Sequence, residues 1–503
     1  MSRLRQSVPG TDLSVRLAIA LAFADASVAV LALPQIVIRL HTSISHVTWV
    51  ITAYNLALIA ATLLILPVAA RLASRRWLVG GLALFGLASL GSGAAGSLGV
   101  LLLFRCLQGI GGALLLCSSL PLFARGTRQG SVLLHAWATT AAFGAGAGPA
   151  IGGLLTQVFD WRAIFLAQGP VAAAAALAAL RGPEAAALRG PEAEAEAVSA
   201  APAPVPVGAR PAGRSGDRDR PGRALSPALA NAALLLLSAG LIGALFLSTV
   251  LLIDVWQLTP LGAAAALVVI PIATVITGEL MRARSAELGG AAGAVVLAAG
   301  LFGLSTLSHR ELAPAVIMLA LCGVGLGLAF PALTRRALAT HGSPVAGAAR
   351  TVAAREGGLV LGLVLLTPIL VNQLNVAPRH AVPAITSTII TGPGSLAQKA
   401  QLGVGLIAAE AHAPQSRLPD IAPAFAVAKA GSDPATRRQF VTLQAHVQDL
   451  IVRAVTDAFR SPLRICALLS LLALAPLAVG RWGRRSATRQ AATPLPQPPR
   501  PEG

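Results

Sequence analysis

The chain has 503 residues, of which 55% are hydrophobic and 12% are charged, and its mean hydropathy is +0.73. Soluble proteins carry about 25% charged residues, so this chain has too little polar surface to cover a globule in water. The formal net charge of +19 would suggest nucleic-acid binding in a soluble protein. Here the basic residues lie between long apolar stretches, and the predicted surroundings are a lipid bilayer, with no nucleic acid.

Twelve apolar stretches are long enough to cross the roughly 30 Å hydrocarbon core of a membrane as helices. The abundant alanine and glycine favour close helix packing in lipid, and the long apolar runs exclude the short alternating strands of a β-barrel. We therefore predict an all-α polytopic membrane protein. Its predicted spans are 14–37, 47–70, 77–97, 99–121, 133–156, 162–180, 228–252, 261–280, 289–307, 313–333, 349–373 and 461–480.

Arginines follow every second span, while the short loops on the other side carry little charge. This alternation fits the positive-inside rule with both termini in the cytoplasm. The resulting plan is two six-helix halves with one insertion in the second half. Its segments are an N-terminal half (1–180), a disordered cytoplasmic linker (181–226), five helices of the second half (227–373), a long extracytoplasmic loop (374–460), the last helix (461–485) and a disordered tail (486–503).

The end of the long loop has helical spacing of apolar residues, from about residue 435 to residue 459. A small helical cap is one interpretation of this segment. A lid that gates substrate access is the other.

The first span carries an acidic residue, Asp25, about 16 Å from its cytoplasmic end at 1.5 Å per residue. A carboxylate so deep in the membrane either pairs with a cation or takes up a proton. The alternative is a neutral, hydrogen-bonded aspartate that only packs. In the second span, Tyr54 and Asn55 lie deeper than the interfacial Trp49 and are candidates for lining a cavity; Tyr54 could also simply fill a gap.

The loop after the second span is basic, with Arg71, Arg75 and Arg76 as candidate cytoplasmic gate residues. The fourth span then contains Arg105, followed one turn later by Gln108, a further cavity candidate. An arginine within a membrane helix costs about 2.5–3.5 kcal/mol on insertion scales and should face water or a counter-ion. Arg105 could pair with Asp25 if the first and fourth helices touch, or it could extend to the outer interface about 9 Å away.

The fifth span repeats small residues every fourth position. Gly144, Gly148 and Gly152 form a groove without side chains along one helix face, with Pro149 and Gly153 beside it. A partner helix can lie deep in such a groove, and the proline removes a backbone donor and bends the helix. From the physics alone this is a helix-packing motif.

These patterns, in this order, resemble the major facilitator superfamily, and most closely its drug:proton antiporters. The glycine-proline run is similar to the antiporter signature of the fifth helix. The segment from Arg105 to Ala113 is similar to the fourth-helix motif, whose arginine is implicated in proton coupling. The segment from Asp25 to Pro34 resembles the first-helix motif of the fourteen-helix drug branch. The resemblance covers about residues 14–375 and 461–480.

Three departures qualify the resemblance. The branch usually has fourteen helices, whereas here a polar linker replaces the central two. The loop motif Gly-x-Leu-Ala-Asp-Arg-x-Gly-Arg is shortened, with Ser74 in place of its aspartate, which puts cytoplasmic gating in doubt. The eleventh helix has Glu356 where relatives more often show glutamine. This glutamate is either a local partner of Arg355 or an additional titratable cavity residue.

The resemblance implies the major facilitator fold and alternating access driven by the proton gradient, without a cofactor or metal. The expected activity is efflux of amphiphilic drugs or hydrophobic metabolites by a monomer in the bacterial plasma membrane. An uptake carrier, a dedicated metabolite exporter and a non-transporting receptor or scaffold remain alternatives. An enzyme is not expected, because the loops lack paired carboxylates and the histidines are scattered.

Overall fold

The computed structural model describes residues 11–68, 75–125, 140–141, 144, 148–181, 225–281, 285–339, 344–412, 419–430 and 432–479. Within these residues, eleven helices are long and apolar enough to cross a membrane. They match eleven of the twelve predicted spans. The remaining span, 133–156, and the linker lie partly outside the described residues. The C-terminal tail and Arg71 lie wholly outside them.

Seven helical segments form the first half. They are α1 (Thr11–Arg39), α2 (Ile44–Val47), α3 (Trp49–Ile65), α4 (Arg75–Ala94), α5 (Leu98–Arg125), α6 (148–158) and α7 (Trp161–Arg181). Short connections join these helices, and polar side chains cap the first turn of some of them. Ser43, for example, accepts a hydrogen bond from the backbone of His46 at the start of α2, which satisfies a donor that the first helical turn would leave unpaired.

The second half begins with α8 (Pro227–Val250), which runs into a π-helical turn at Leu251–Val255. The helices that follow are α9 (Pro260–Leu267), α10 (Val269–Leu280), α11 (Ala286–Leu304), α12 (Leu312–Leu338), α13 (Pro344–Thr391), α14 (Leu396–His412), α15 (Ala422–Lys429), α16 (Pro434–Asp457) and α17 (Arg460–Leu472).

Helix α13 is much longer than the predicted span 349–373. Its 48 residues measure about 72 Å at 1.5 Å per residue, more than twice the thickness of the hydrocarbon core. Hydropathy located only the more apolar part of this helix, because the continuation beyond residue 373 is polar enough to be read as a loop. The predicted loop 374–460 therefore consists largely of helices.

These helices form an arm, which we define as the outer part of α13 from residue 374 together with α14, α15 and α16. The arm has its own apolar core, and the apolar positions predicted for 435–459 contribute to it through α16. Its buried members include Leu402, Phe425, Phe440, Leu443, Val447 and Ile451. The prediction of a helix in this part of the chain is confirmed.

Two larger apolar clusters join the halves of the bundle. One contains Val15–Phe23 of α1 and Val345–Val352 of α13. The other contains residues 28–37 of α1 together with much of the interior of the second half, including buried residues of α8 from Ala230 to Val250. The middle of α1, around Asp25, lies between the two clusters.

Candidate functional site

Asp25 and Arg105 form a buried ion pair between α1 and α5. Nη1 of Arg105 lies 2.7 Å from Oδ2 and donates to Oδ1 at 2.9 Å, and neither side chain has exposed surface. Nε of Arg105 also donates to the backbone oxygen of Val50, at 2.9 Å. The pairing is as the depths predict, and the alternative in which Arg105 extends to the outer interface is wrong.

Two glutamines extend this pair into a network. The side-chain oxygen of Gln108 accepts from Arg105 at 2.8 Å, and its nitrogen donates to Asp25 at 3.1 Å and to Gln168 at 2.7 Å. Oε1 of Gln168 also accepts from the hydroxyl of Ser89, at 3.1 Å. Gln108 is one helical turn from Arg105, so the sequence indicated it, whereas Gln168 on α7 is brought in by tertiary packing alone.

Aromatic rings enclose the guanidinium. Its carbon lies 4.5 Å from the centroid of Tyr54 and 5.4 Å from that of Phe165, distances at which a ring face attracts a cation. The hydroxyl of Tyr54 donates to the backbone oxygen of Ala22 at 3.2 Å. Tyr54 and Gln108, expected as cavity residues, are thus placed in the buried network around Arg105.

Some buried polar atoms at this site make no hydrogen bond. Among the described residues, Nη2 of Arg105, Oδ2 of Asp25 and both amide atoms of Asn55 lack a hydrogen-bond partner, although Oδ2 touches the guanidinium. In a low-dielectric interior, buried polar atoms without hydrogen bonds are costly. The described arrangement therefore leaves four buried polar atoms of this site without a hydrogen bond.

The glycine run of α6 packs directly on α1 and α9. A Cβ at Gly144 or Gly148 would overlap Ala20 or Ser27 of α1, and one at Gly152 would lie 3.0 Å from the oxygen of Val28. A Cβ at Gly153 would overlap Ala264 of α9. The groove predicted for this face thus holds α1, the neighbouring Gly153 contacts α9 of the second half, and Pro149 is buried.

A small cavity of about 30 Å³ lies where α1, α8 and α13 meet, enough space for one or two waters. Glu356 lines this cavity. Its position agrees with the interpretation of Glu356 as a cavity residue. The other lining residues are Phe23, Ser27, Ser238, Leu241, Ile242, Leu245, Arg355 and Leu359.

The structure describes two of the three candidate residues of the cytoplasmic gate. Arg75 opens α4 and is only 5% exposed, while Arg76 beside it is exposed. Their predicted gating role stays a prediction.

The family is decided by the comparison with known proteins. Residues 16–367 match the model of the Major Facilitator Superfamily. The chain belongs to the Major Facilitator Superfamily. The Asp25–Arg105 pair thus lies in the N-terminal half of a polytopic membrane protein of that superfamily.

Individual relatives of this superfamily member include resistance proteins. It is 34% identical over 185 residues to the methylenomycin A resistance protein of Bacillus subtilis, covering 35% of this chain and 40% of the relative. It is 33% identical over 172 residues to the tetracenomycin C resistance and export protein of Streptomyces glaucescens, covering 34% and 32%. The chain thus spans well under half the length of each of these curated relatives.

A solved structure supports the fold over nearly the whole chain. A bacterial homolog of the human lysosomal transporter Spinster, in an inward-facing and unoccupied conformation, superposes with a TM-score of 0.54. The match covers 94% of this chain and 98% of that one at 16% identity, so the likeness concerns the fold.

Proposed function

We propose that this transporter is a proton-coupled antiporter that exports amphiphilic drugs or hydrophobic metabolites by alternating access. The observation that supports it is the Asp25–Arg105 ion pair, which is fully buried in the middle of the bundle. The proton gradient supplies the free energy, and no cofactor is proposed.

The coupling step is protonation of Asp25. A neutral carboxylic acid no longer attracts the Arg105 guanidinium by charge, so protonation weakens the ion pair that joins α1 to α5. Gln108 touches both members and moves with them. A ligand or proton shifts a conformational equilibrium only if it binds one of the two states more tightly than the other. A buried ion pair that exists in only one state gives the proton such a difference in affinity.

The conformational change takes place between the two halves. Apolar clusters join the halves on both sides of Asp25, and the cavity between α1, α8 and α13 has room for only one or two waters. Separating α1 from the second half at one end, while their contact at the other end stays closed, gives the two access states of a rocking-bundle carrier.

Two considerations support export of amphiphilic compounds. The curated relatives named above include resistance and export proteins. The cavity wall is largely apolar, with four aliphatic side chains and one phenyl ring. Such a wall suits an amphiphile better than a sugar, which needs many hydrogen-bond partners.

We further propose a location in the bacterial plasma membrane, with both termini cytoplasmic and a monomer as the working unit. The arm would then lie outside the cell. A cysteine introduced at exposed Val404 should react with an impermeant maleimide added to intact cells.

The test of antiport is proton flux in proteoliposomes. With an imposed pH gradient, adding a transported compound should dissipate the gradient in wild-type vesicles and leave it intact in protein-free vesicles. A broad panel of amphiphiles that accumulates in vesicles without any proton movement would contradict proton coupling. Accumulation assays in cells with and without the gene decide between export and uptake.

A further inference from the structure

A buried arginine lies between two aromatic rings that come from different halves of the bundle. The guanidinium carbon of Arg355 on α13 lies 4.3 Å from the ring centroid of Phe23 on α1 and 5.3 Å from that of Phe330 on α12. All three side chains are buried. Both distances are within the roughly 6 Å at which the face of a ring attracts a cation. The guanidinium therefore bridges the first and the second half.

The two ring contacts differ in what they join. Phe330 and Arg355 both belong to the second half, so their contact can persist when the halves move as rigid bodies. Phe23 belongs to the first half, so its contact has to break wherever α1 separates from α13. Among the described residues, no carboxylate forms an ion pair with the guanidinium. The Phe23 ring thus supplies a direct attraction between this buried charge and the first half.

The contact with Phe23 lies at the edge of one of the two apolar clusters that join the halves. That cluster contains Val15–Phe23 of α1 and Val345–Val352 of α13. Arg355 follows it three residues later, about 16 Å from the start of α13 at 1.5 Å per residue. In the orientation proposed above, this cluster lies on the cytoplasmic side. The arginine thus covers the edge of the cluster that faces the middle of the bundle, where it also lines the small cavity.

We propose that Arg355 is a latch that holds the cytoplasmic end of the bundle closed through its contact with Phe23. In the closed arrangement the guanidinium lies against both rings. When the cytoplasmic end opens, the guanidinium stays on Phe330 and leaves Phe23. The strength of the Phe23 contact therefore sets the fraction of the protein that is open to the cytoplasm. This inference rests on the proposed function, because it requires the two access states of alternating access.

Stepwise fluorination of the Phe23 ring tests the latch, because fluorine weakens the negative face of the ring and changes its shape little. Full-length protein is purified with phenylalanine or with mono-, di- or trifluorophenylalanine at position 23, and with its native cysteines replaced by alanine. One reporter cysteine is then introduced, either Ala349→Cys in the cytoplasmic-side cluster or Val250→Cys in the other cluster. Both positions are buried, so the rate of reaction with a soluble maleimide measures how often each end opens.

The reaction rate at position 349 should rise with each added fluorine, and the rate at position 250 should fall. We expect the ratio of the two rates to change about tenfold for the trifluorinated ring, as the loss of a desolvated cation–ring contact requires. Opposite changes identify a shift between the two access states. The same series at Phe330 is the matched control, and it should change the ratio much less because that contact lies within one half.

A rate ratio that stays constant along the Phe23 series, or that changes equally along the Phe330 series, would overturn the latch. A rise of both rates together would also overturn it, because fluorination would then have loosened the whole bundle. Failure of the proposed antiport has a different signature. In that case the Phe23 series still shifts the rate ratio, yet no transported compound dissipates a pH gradient in wild-type vesicles.

Discussion

Arg105 of α5 reaches Asp25 of α1 at 2.7 Å with no exposed surface on either side chain. Among the described residues, this pair joins a carboxylate and a guanidinium to two glutamines and an aromatic ring through direct contacts. Its chemistry leads to the first predictions.

Asp25→Asn should abolish proton-coupled transport while the protein still inserts into the membrane. The amide keeps the shape but carries no exchangeable charge, and it leaves Arg105 without a counter-ion. Breaking a buried ion pair costs about 3–5 kcal/mol, so the melting temperature should fall as well. Proton flux in proteoliposomes measures the first effect, and transport at the wild-type rate would exclude a coupling role.

Arg105→Lys should transport at least about tenfold more slowly than wild type, and Arg105→Ala more slowly still. Lysine keeps the charge but loses the planar geometry that reaches both Asp25 and the oxygen of Val50. Initial rates of probe export measure this. An unimpaired lysine variant would leave only a charge role, and an unimpaired alanine variant would exclude even that.

Gln168→Leu should alter the pH dependence of transport, because it removes the partner of the Gln108 nitrogen, 2.7 Å away. A buried donor without a partner costs about 1–3 kcal/mol, and that donor also touches Asp25. Ser89→Ala is the matched control, since it removes another contact of Gln168 and leaves Gln108 intact. A pH profile for Gln168→Leu identical to that of Ser89→Ala would contradict this role.

Gly148→Ala should destabilise the bundle and slow transport. The added methyl group would overlap the hydroxyl of Ser27 and lie 2.9 Å from the nitrogen of Val28; overpacking of this kind costs about 1–3 kcal/mol. Gly80→Ala on α4 is the control, because nothing lies within 4 Å of the new atom. Melting curves should separate the two variants, and Ser27→Gly should rescue part of the loss.

Thr456→Val should loosen the arm from the bundle. The indole nitrogen of Trp256, which directly follows the π-helical turn, donates to Thr456 of α16 at 3.2 Å, and both residues are buried. Losing that acceptor leaves a buried donor unpaired, at a cost of about 1–3 kcal/mol. Limited proteolysis should cut the arm faster than in Thr442→Val, an exposed substitution on the same helix; equal rates would contradict the coupling.

The sequence predicted most of the membrane architecture because hydropathy and arginine position report directly on lipid. Eleven predicted spans have matching helices. Hydropathy failed beyond residue 373, where α13 remains helical although its sequence is less apolar.

For the site, depth along the helices predicted the Asp25–Arg105 pair as one of two alternatives, because the two residues lie at compatible depths in the first and fourth spans. Gln168 and Ser238 could not be predicted in this way. Polar residues such as these are common in membrane helices, and only the packing of α7 and α8 decides what they face.

The most direct test of the central claim is proton release on substrate binding, measured with a pH indicator in a weakly buffered solution of purified protein. Wild-type protein should release protons as a transported probe binds, and Asp25→Asn should bind the probe without releasing any. Equal proton release from wild type and Asp25→Asn would contradict the assignment of Asp25 as the proton-exchanging residue.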